Sequence, residues 1–236
     1  MKGATFQIDG EEVPFEAGQT IMEAATAHGV YIPHLCHHPD FSPHGSCKVC
    51  TVKVNGRNCS ACTMPASEGQ EVLNRTGELD SMRLRMVQML FVEGNHICPG
   101  CEKSGDCTLQ GVGYHLGMQE VHYPHFYPAR SVDASHPELI LDLDRCILCA
   151  LCVRASCEED GKAIFGIVGR GLESRLVVNT ESGRLADSTI RKTDRAATIC
   201  PVGAILIKGE AFRKPIGERI YDRREVSQIE ATEESE

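Results

Sequence analysis

The 236-residue chain contains no tryptophan, and aromatic residues make up only 5% of it. Large single cores lean on big aromatic side chains, so this scarcity points to two or three small modules. Positive charge is also short. Against 33 Asp and Glu stand 24 Lys and Arg, a formal charge of −9. Such a chain is unsuited to nucleic acid, whose phosphates require clustered cations. Long apolar runs are missing too: MVQMLFV at 86–92 falls well short of the roughly 18 residues that cross a bilayer. The opening MKGATFQIDG has no basic region followed by an apolar one, so no secretory signal is expected and a cytoplasmic location is. Cysteine, by contrast, is abundant at 13 residues. An odd count without an export signal favours metal or redox chemistry over a disulfide framework.

Short periodic pieces alternate with turn signals. TFQIDGEEVPF (5–15) predicts a hairpin about Asp9-Gly10, and TVKVNGRNCSA (51–61) a second about Asn55-Gly56. Between them, 20–29 reads as a helix with Thr20 and Glu23 as a capping box and Gly29 at its end. Together they make a small α+β domain ending near Thr76. In 78–95, Leu79, Met82, Met86 and Met89 or Leu90 share one helical face, read as core packing, with Gly94-Asn95 as terminator. A further helix carries Leu109 and Leu116, residues 122–137 form an ordered connector, and strands are expected at 137–144, 163–171 and 175–179. CPVGAILIK (200–208) closes this unit, and the acidic end, 226–236, reads as frayed.

The cysteines fall into three sets. In RCILCALCVRASCEED (145–160), Cys146, Cys149 and Cys152 form a C-x2-C-x2-C loop. Such a loop can give thiolates to three irons of a cubane, whose fourth iron takes a distant cysteine, here Cys200 of Cys200-Pro201. Tetrahedral zinc usually draws on two separate C-x-x-C pairs and fits this loop poorly. A second cluster would need cysteines ten, seven and four residues before Cys200; Ile190, Thr193 and Ala196 stand there instead. Cys157 therefore loses the cluster it would have served, and reads as a buried thiol.

The first set is Cys36, Cys47, Cys50 and Cys62, spaced C-x10-C-x2-C-x11-C, with Cys59 as a core or spare thiol. Gly45 and Ser46 would let backbone N–H groups approach the sulfurs. His37 and His38 raise the alternative of two histidines replacing two cysteines on one iron, but a complete cysteine set is at hand. The second set has only Cys98, Cys101 and Cys107 in HICPGCEKSGDC, and His96 is the nearest residue able to supply a fourth ligand. No hydride site is visible: the glycines of 111–117 and 166–171 miss the dinucleotide spacing and read as loop glycines.

EGNHICPGCEKSGDCTLQ (93–110), DRCILCALCVRASCEE (144–159) and ICPVGAI (199–205), in this order, resemble the iron–sulfur region of the large electron-transfer subunit of respiratory complex I. They also resemble iron-only hydrogenases and, most closely, the diaphorase small (gamma) subunits of NAD-reducing nickel–iron hydrogenases. Many relatives space the histidine from the first cysteine as H-x3-C, whereas here one residue separates His96 from Cys98. The resemblance implies an α+β chain in four parts. Residues 1–76 form a plant-ferredoxin-like (β-grasp) domain with one [2Fe–2S] cluster. A small helical domain, 77–135, holds a [4Fe–4S] cluster on one histidine and three cysteines. A ferredoxin-like domain, 136–213, holds the second [4Fe–4S] cluster, and 214–236 is an acidic tail. The implied role is a relay of single electrons between a flavin-containing NAD(H) subunit and the small subunit of a nickel–iron hydrogenase. A relay for an NAD-linked formate dehydrogenase and a zinc-stapled scaffold are the competing readings.

Overall fold

A computed structural model describes residues 4–230. Strands β1 (Thr5–Ile8) and β2 (Glu11–Pro14) form the first hairpin, and β3 (Thr51–Val54) and β4 (Arg57–Ser60) the second. Both turns have two consecutive residues at positive φ, Asp9-Gly10 and Asn55-Gly56. That is the primed turn whose twist matches flanking strands. Strand β5 (Glu71–Leu73) runs parallel to β1 and antiparallel to β3, giving a mixed sheet in the order β2-β1-β5-β3-β4. Helix α1 (Ile21–Ala27) starts at the expected capping box. The Glu23 N–H donates to Thr20 Oγ1 at 3.2 Å, and the Thr20 N–H donates to Glu23 Oε2 at 2.6 Å. Ile21, Met22, Ala24 and Ala25 of α1 share one core with Phe6, Ile8, Val52, Val54 and Val72 of the sheet.

Helix α2 (Gly77–Glu93) is capped by Thr76, but its buried face differs from the expected one. Leu79, Arg83, Val87 and Phe91 face inward, whereas Met89 is 48% exposed and Met82 and Met86 are only half-buried. The reason is Arg83, 2% exposed, whose guanidinium donates to the carbonyls of Asn74 (2.8 Å) and Thr51 (2.9 Å) and to Asn74 Oδ1 (2.7 Å). A charged residue on the inward face ties α2 to the first sheet; Met86 and Leu90 still pack at the edge of the larger core, and Met89 is turned outward. Helix α3 (Thr108–His115) follows, with Gly111 and Gly113 inside it rather than in a loop.

A three-stranded sheet, β10-β7-β6, combines β6 (Val132–Asp133), β7 (Leu139–Asp142) and β10 (Ile205–Ile207). Around it lie α4 (Leu151–Arg154), the hairpin of β8 (Phe165–Val168) and β9 (Arg175–Val178), and α5 (Arg195–Thr198). The larger core is continuous. It joins Leu35, Cys36, Phe41 and Val49 of the first cysteine loop with Val87, Leu109, Val112, Leu139, Ala155 and Val202. The C-terminal segment is not frayed over 226–230: α6 (Ile220–Arg223) and α7 (Val226–Glu230) strap across α3, with Val226 and Ile229 buried. Tyr221 lies where a Cβ on Gly111 would come within 3.0 Å of its ring, and the Tyr221 N–H donates to Gly105 O. Residues 231–236 of the expected frayed end lie outside those described.

Candidate metal centres

The first set is brought together by the loop between α1 and β3 and by the end of β4. Cys36, Cys50 and Cys62 are buried and Cys47 is partly so, with Cys50 Sγ 3.3 Å from Cys62 Sγ. Hydrogen bonds from Cys47 and Cys62 hold the Cys36 thiol far below its usual range, and Cys62 pulls Cys50 down to about 7. The donors move the other way: Cys47 and Cys62 are pushed up, chiefly by giving their protons to Cys36. Four sulfurs sharing protons at this range form a donor set whose protons metal would displace. Gly45, at φ +70°, sits where a Cβ would come 2.9 Å from Thr63 Cγ2, so the loop closes only on glycine. Backbone N–H groups of Cys47 and Val49 donate to Cys36 and Cys47. Cys59, on β4, is half-buried against the first core. His37 packs its ring 5.3 Å from that of His34, and His38 lies against Arg195 and Asp40.

The second set follows α2. Cys98 and Cys101 flank a single 3-10 turn, and Cys107 caps α3. Burial pushes Cys107 up to about 12 and raises Cys98, the latter opposed by a Gln110 hydrogen bond. The His96 ring packs 5.5 Å from that of Phe91, and its Nε2 sits where a Cβ on Gly94 would be 2.8 Å away. This Nε2 is buried without a hydrogen-bond partner. Burial, then the nearby Arg145 and Arg130, lowers its pKa to about 4, so the imidazole is neutral with a free lone pair at pH 7. That chemistry fits a metal ligand.

In the third set Cys146, Cys149, Cys152 and Cys200 line one largely enclosed apolar pocket with Leu148, Leu176, Pro201 and Ile205. Leu148 (φ 53°) and Ala150 (φ 59°) both adopt the left-handed conformation inside the loop. Non-glycine residues rarely do so, at a cost of about 1–3 kcal/mol each. The strained turns aim N–H groups of Leu148, Leu151 and Val153 at Cys146, Cys149 and Cys152. Burial pushes Cys146 up to about 11 and raises Cys149 and Cys152 further. Cys157 stands apart and is exposed rather than buried. It lies on a π-helical turn, Ala155–Glu159, whose inward residue is Ser156, fully buried and bonded to the Ile164 N–H at 2.6 Å. The extra residue of the π turn rotates Cys157 outward.

Sequence reasoning missed two arginines that join the sets. Arg154, 9% exposed, donates from α4 to the Cys36 carbonyl at 2.5 Å and the Ser42 carbonyl at 2.7 Å. Arg145, just before Cys146, reaches Cys101 Sγ at 3.5 Å and also bonds Glu102 and Asp142. Nothing in the spacing of cysteines betrays a carbonyl or thiol from another unit as a partner.

Three cysteine sets spread over two adjoining cores of mixed helix and strand are the donor pattern of an iron–sulfur electron-transfer protein. Consecutive parts of the chain match three families: "2Fe-2S iron-sulfur cluster binding domain" (2–77), "NADH-ubiquinone oxidoreductase-G iron-sulfur binding region" (83–122) and "4Fe-4S single cluster domain" (139–207). The gamma subunit of the NAD-reducing hydrogenase HoxS of Cupriavidus necator is 42% identical, over 93% of each chain. A crystal structure of NAD+-reducing [NiFe]-hydrogenase in the H2-reduced state contains a chain of 52% identity that superposes with a TM-score of 0.93, over 97% of this chain and 98% of that one. The mitochondrial NADH-ubiquinone oxidoreductase 78 kDa subunit of Candida albicans is 30% identical over 87% of this chain but 29% of its own length. The chain belongs to the family of gamma subunits of NAD-reducing hydrogenases. Among the described residues no helix is long and apolar enough to cross a membrane.

Proposed function

We propose that the chain passes single electrons through three iron–sulfur clusters between a flavin-containing NAD(H) subunit and a nickel–iron hydrogenase module, docking on its small subunit. The observation that carries this reading is the gathering of eleven cysteines into three sets within units that share a continuous core. The mixed five-stranded sheet with α1 packed on it supports a plant-ferredoxin-like β-grasp domain over residues 1–76, with one [2Fe–2S] cluster on Cys36, Cys47, Cys50 and Cys62. Residues 77–135 would hold a [4Fe–4S] cluster on His96, Cys98, Cys101 and Cys107. Residues 136–213 would hold another on Cys146, Cys149, Cys152 and Cys200. When bound, such clusters take up and release one electron at a time, and a flavin must convert hydride pairs to single electrons.

The residues of this chain supply the rest: thiolates, N–H groups on the sulfurs, and walls that exclude water. They also support an order. Arg154 joins the first set to the third, and Arg145 joins the third to the second, so the middle of the sequence is one end of the path. Cys101 and Cys200 line an open cleft with the exposed Phe212 and Ile216, a candidate exit toward a partner.

Purified from its native cells, the chain is expected to be brown, with about ten irons, and to carry flavin and nickel–iron subunits with it. A formate dehydrogenase partner would reassign the far end, and a colourless protein with stoichiometric zinc would overturn the relay. His96→Ala is expected to remove or convert one [4Fe–4S] signal in EPR; an unchanged spectrum and iron content would remove His96 from the ligand set.

A further inference from the structure

We propose that Arg145 is a positioning residue that hydrogen-bonds the Cys101 sulfur from the neighbouring unit and favours the reduced form of the cluster bound there. The inference rests on Cys101 being a ligand, as proposed above. Arg145 ends a 3-10 turn, Leu143–Arg145, that delivers Cys146 to its own set, so its side chain is free to reach across the joint. Nη1 lies 3.5 Å from Cys101 Sγ and also bonds the Glu102 carboxylate, while Nε lies 2.8 Å from Asp142 Oδ2. The side chain is 19% exposed, and these two carboxylates fix the fork in one orientation.

The loop of Cys200 shares the same point. A Cβ on Gly203 would lie 3.2 Å from Arg145 Nη1, 3.3 Å from Cys101 Sγ and 3.2 Å from Lys103 Cβ. Gly203 is not among the glycines at positive φ, so the backbone conformation does not call for glycine. Space does: a side chain there would press the guanidinium and the sulfur apart. Residues from both units are thus shaped around one N–H···S contact.

The consequence follows from charge. A reduced cluster is one charge more negative, and a donor on a ligand sulfur stabilises that state more than the oxidised one. Arginine stays charged throughout the accessible pH range, and its rigid planar fork holds sulfur and carboxylates in one fixed geometry that a flexible lysine ammonium reproduces only in part. Asp142 and Glu102 offset the charge at a distance, so the effect is concentrated on the sulfur that Nη1 touches.

The test is a redox titration of the full chain with its clusters in place, followed by EPR, for Arg145→Gln and Arg145→Lys. In Arg145→Gln the oxidised-to-reduced ratio of the Cys101 cluster at a fixed potential should rise about tenfold, 59 mV for one electron. The [2Fe–2S] signal should keep its potential, and Arg145→Lys should recover part of the shift. An unshifted potential with full iron content overturns the proposal. Should Arg145→Gln lose this cluster, Gly203→Ala decides, because it leaves every charge in place and crowds Nη1 and Sγ, with Lys103 Cβ the one other atom it meets as closely. A shift in the same direction supports the proposal; an unshifted potential, or loss of the cluster here too, overturns it. Failure of the underlying ligand assignment looks different: Cys101→Ser would then keep all its iron and an unaltered spectrum.

Discussion

Cys200→Ser is expected to cost the chain about four irons and one [4Fe–4S] signal, whereas Cys157→Ser should leave both intact. By sequence, Cys200 of Cys200-Pro201 is recruited to the Cys146-Cys149-Cys152 loop and Cys157 is left over. Their surroundings separate them. Cys200 is 9% exposed and lines the same apolar pocket as the other three, beside Pro201 and Ile205. Cys157 faces solvent from a π turn anchored by the buried Ser156. Serine at 200 offers a hard, weakly acidic hydroxyl to an iron that prefers thiolate, and burial among apolar side chains gives that hydroxyl no substitute partner. Iron analysis and EPR of the two variants check the difference directly. Alkylation mapped by mass spectrometry gives a second readout: Cys157 should label in the intact holoprotein while Cys200 stays protected. Full iron in Cys200→Ser, or iron loss in Cys157→Ser, would exchange their assignments.

Several features were legible because they are local. Asp9-Gly10 and Asn55-Gly56 specify their turns through positive φ, and Thr20 with Glu23 specifies a helix start through two reciprocal hydrogen bonds. The C-x2-C-x2-C run likewise needs only its own spacing to suggest a ligand loop. What escaped is non-local. Arg83 reads as a surface residue by its charge, yet three acceptors from Thr51 and Asn74 hold it inside, and the inward face of α2 is centred on Arg83 and Val87 with Met89 left outside. The acidic end reads as frayed because its apolar residues are few. Val226 and Ile229 suffice when α3 presents a surface, cleared at Gly111, for the strap to lie on. The π turn that exposes Cys157 is invisible to a reading based on regular helical spacing. The bridging arginines belong with these, since the contacts that join the sets are to partners more than 40 residues away.

Arg154→Met is expected to loosen the joint between the first and third units. The guanidinium gives 2.5 and 2.7 Å bonds to the carbonyls of Cys36 and Ser42, a weaker 3.4 Å bond to Ala150 O, and lies 6.0 Å from the Phe41 ring centroid. Burying a cation is costly, so the native gain over a well-packed neutral residue is not the sum of these contacts. The substitution is costly for a different reason: methionine keeps much of the stem's packing but leaves the buried Cys36 carbonyl without its donor, whereas exposed Ser42 can turn its carbonyl to water. At about 1–3 kcal/mol for an orphaned buried group, the loss is of that order. For a chain of this size that lowers the melting temperature by roughly 2 to 12 °C. Arg154→Lys keeps the charge and can satisfy one carbonyl, so it should fall between the two. Because the Cys36 carbonyl is the acceptor, local opening should begin at the first cysteine loop, and the [2Fe–2S] absorbance should be lost on heating before the [4Fe–4S] contribution. Melting followed at both wavelengths tests this. Coincident loss of all iron at the wild-type temperature would mean that the shared apolar core, through Leu35, Phe41 and Val49, holds the units together without Arg154.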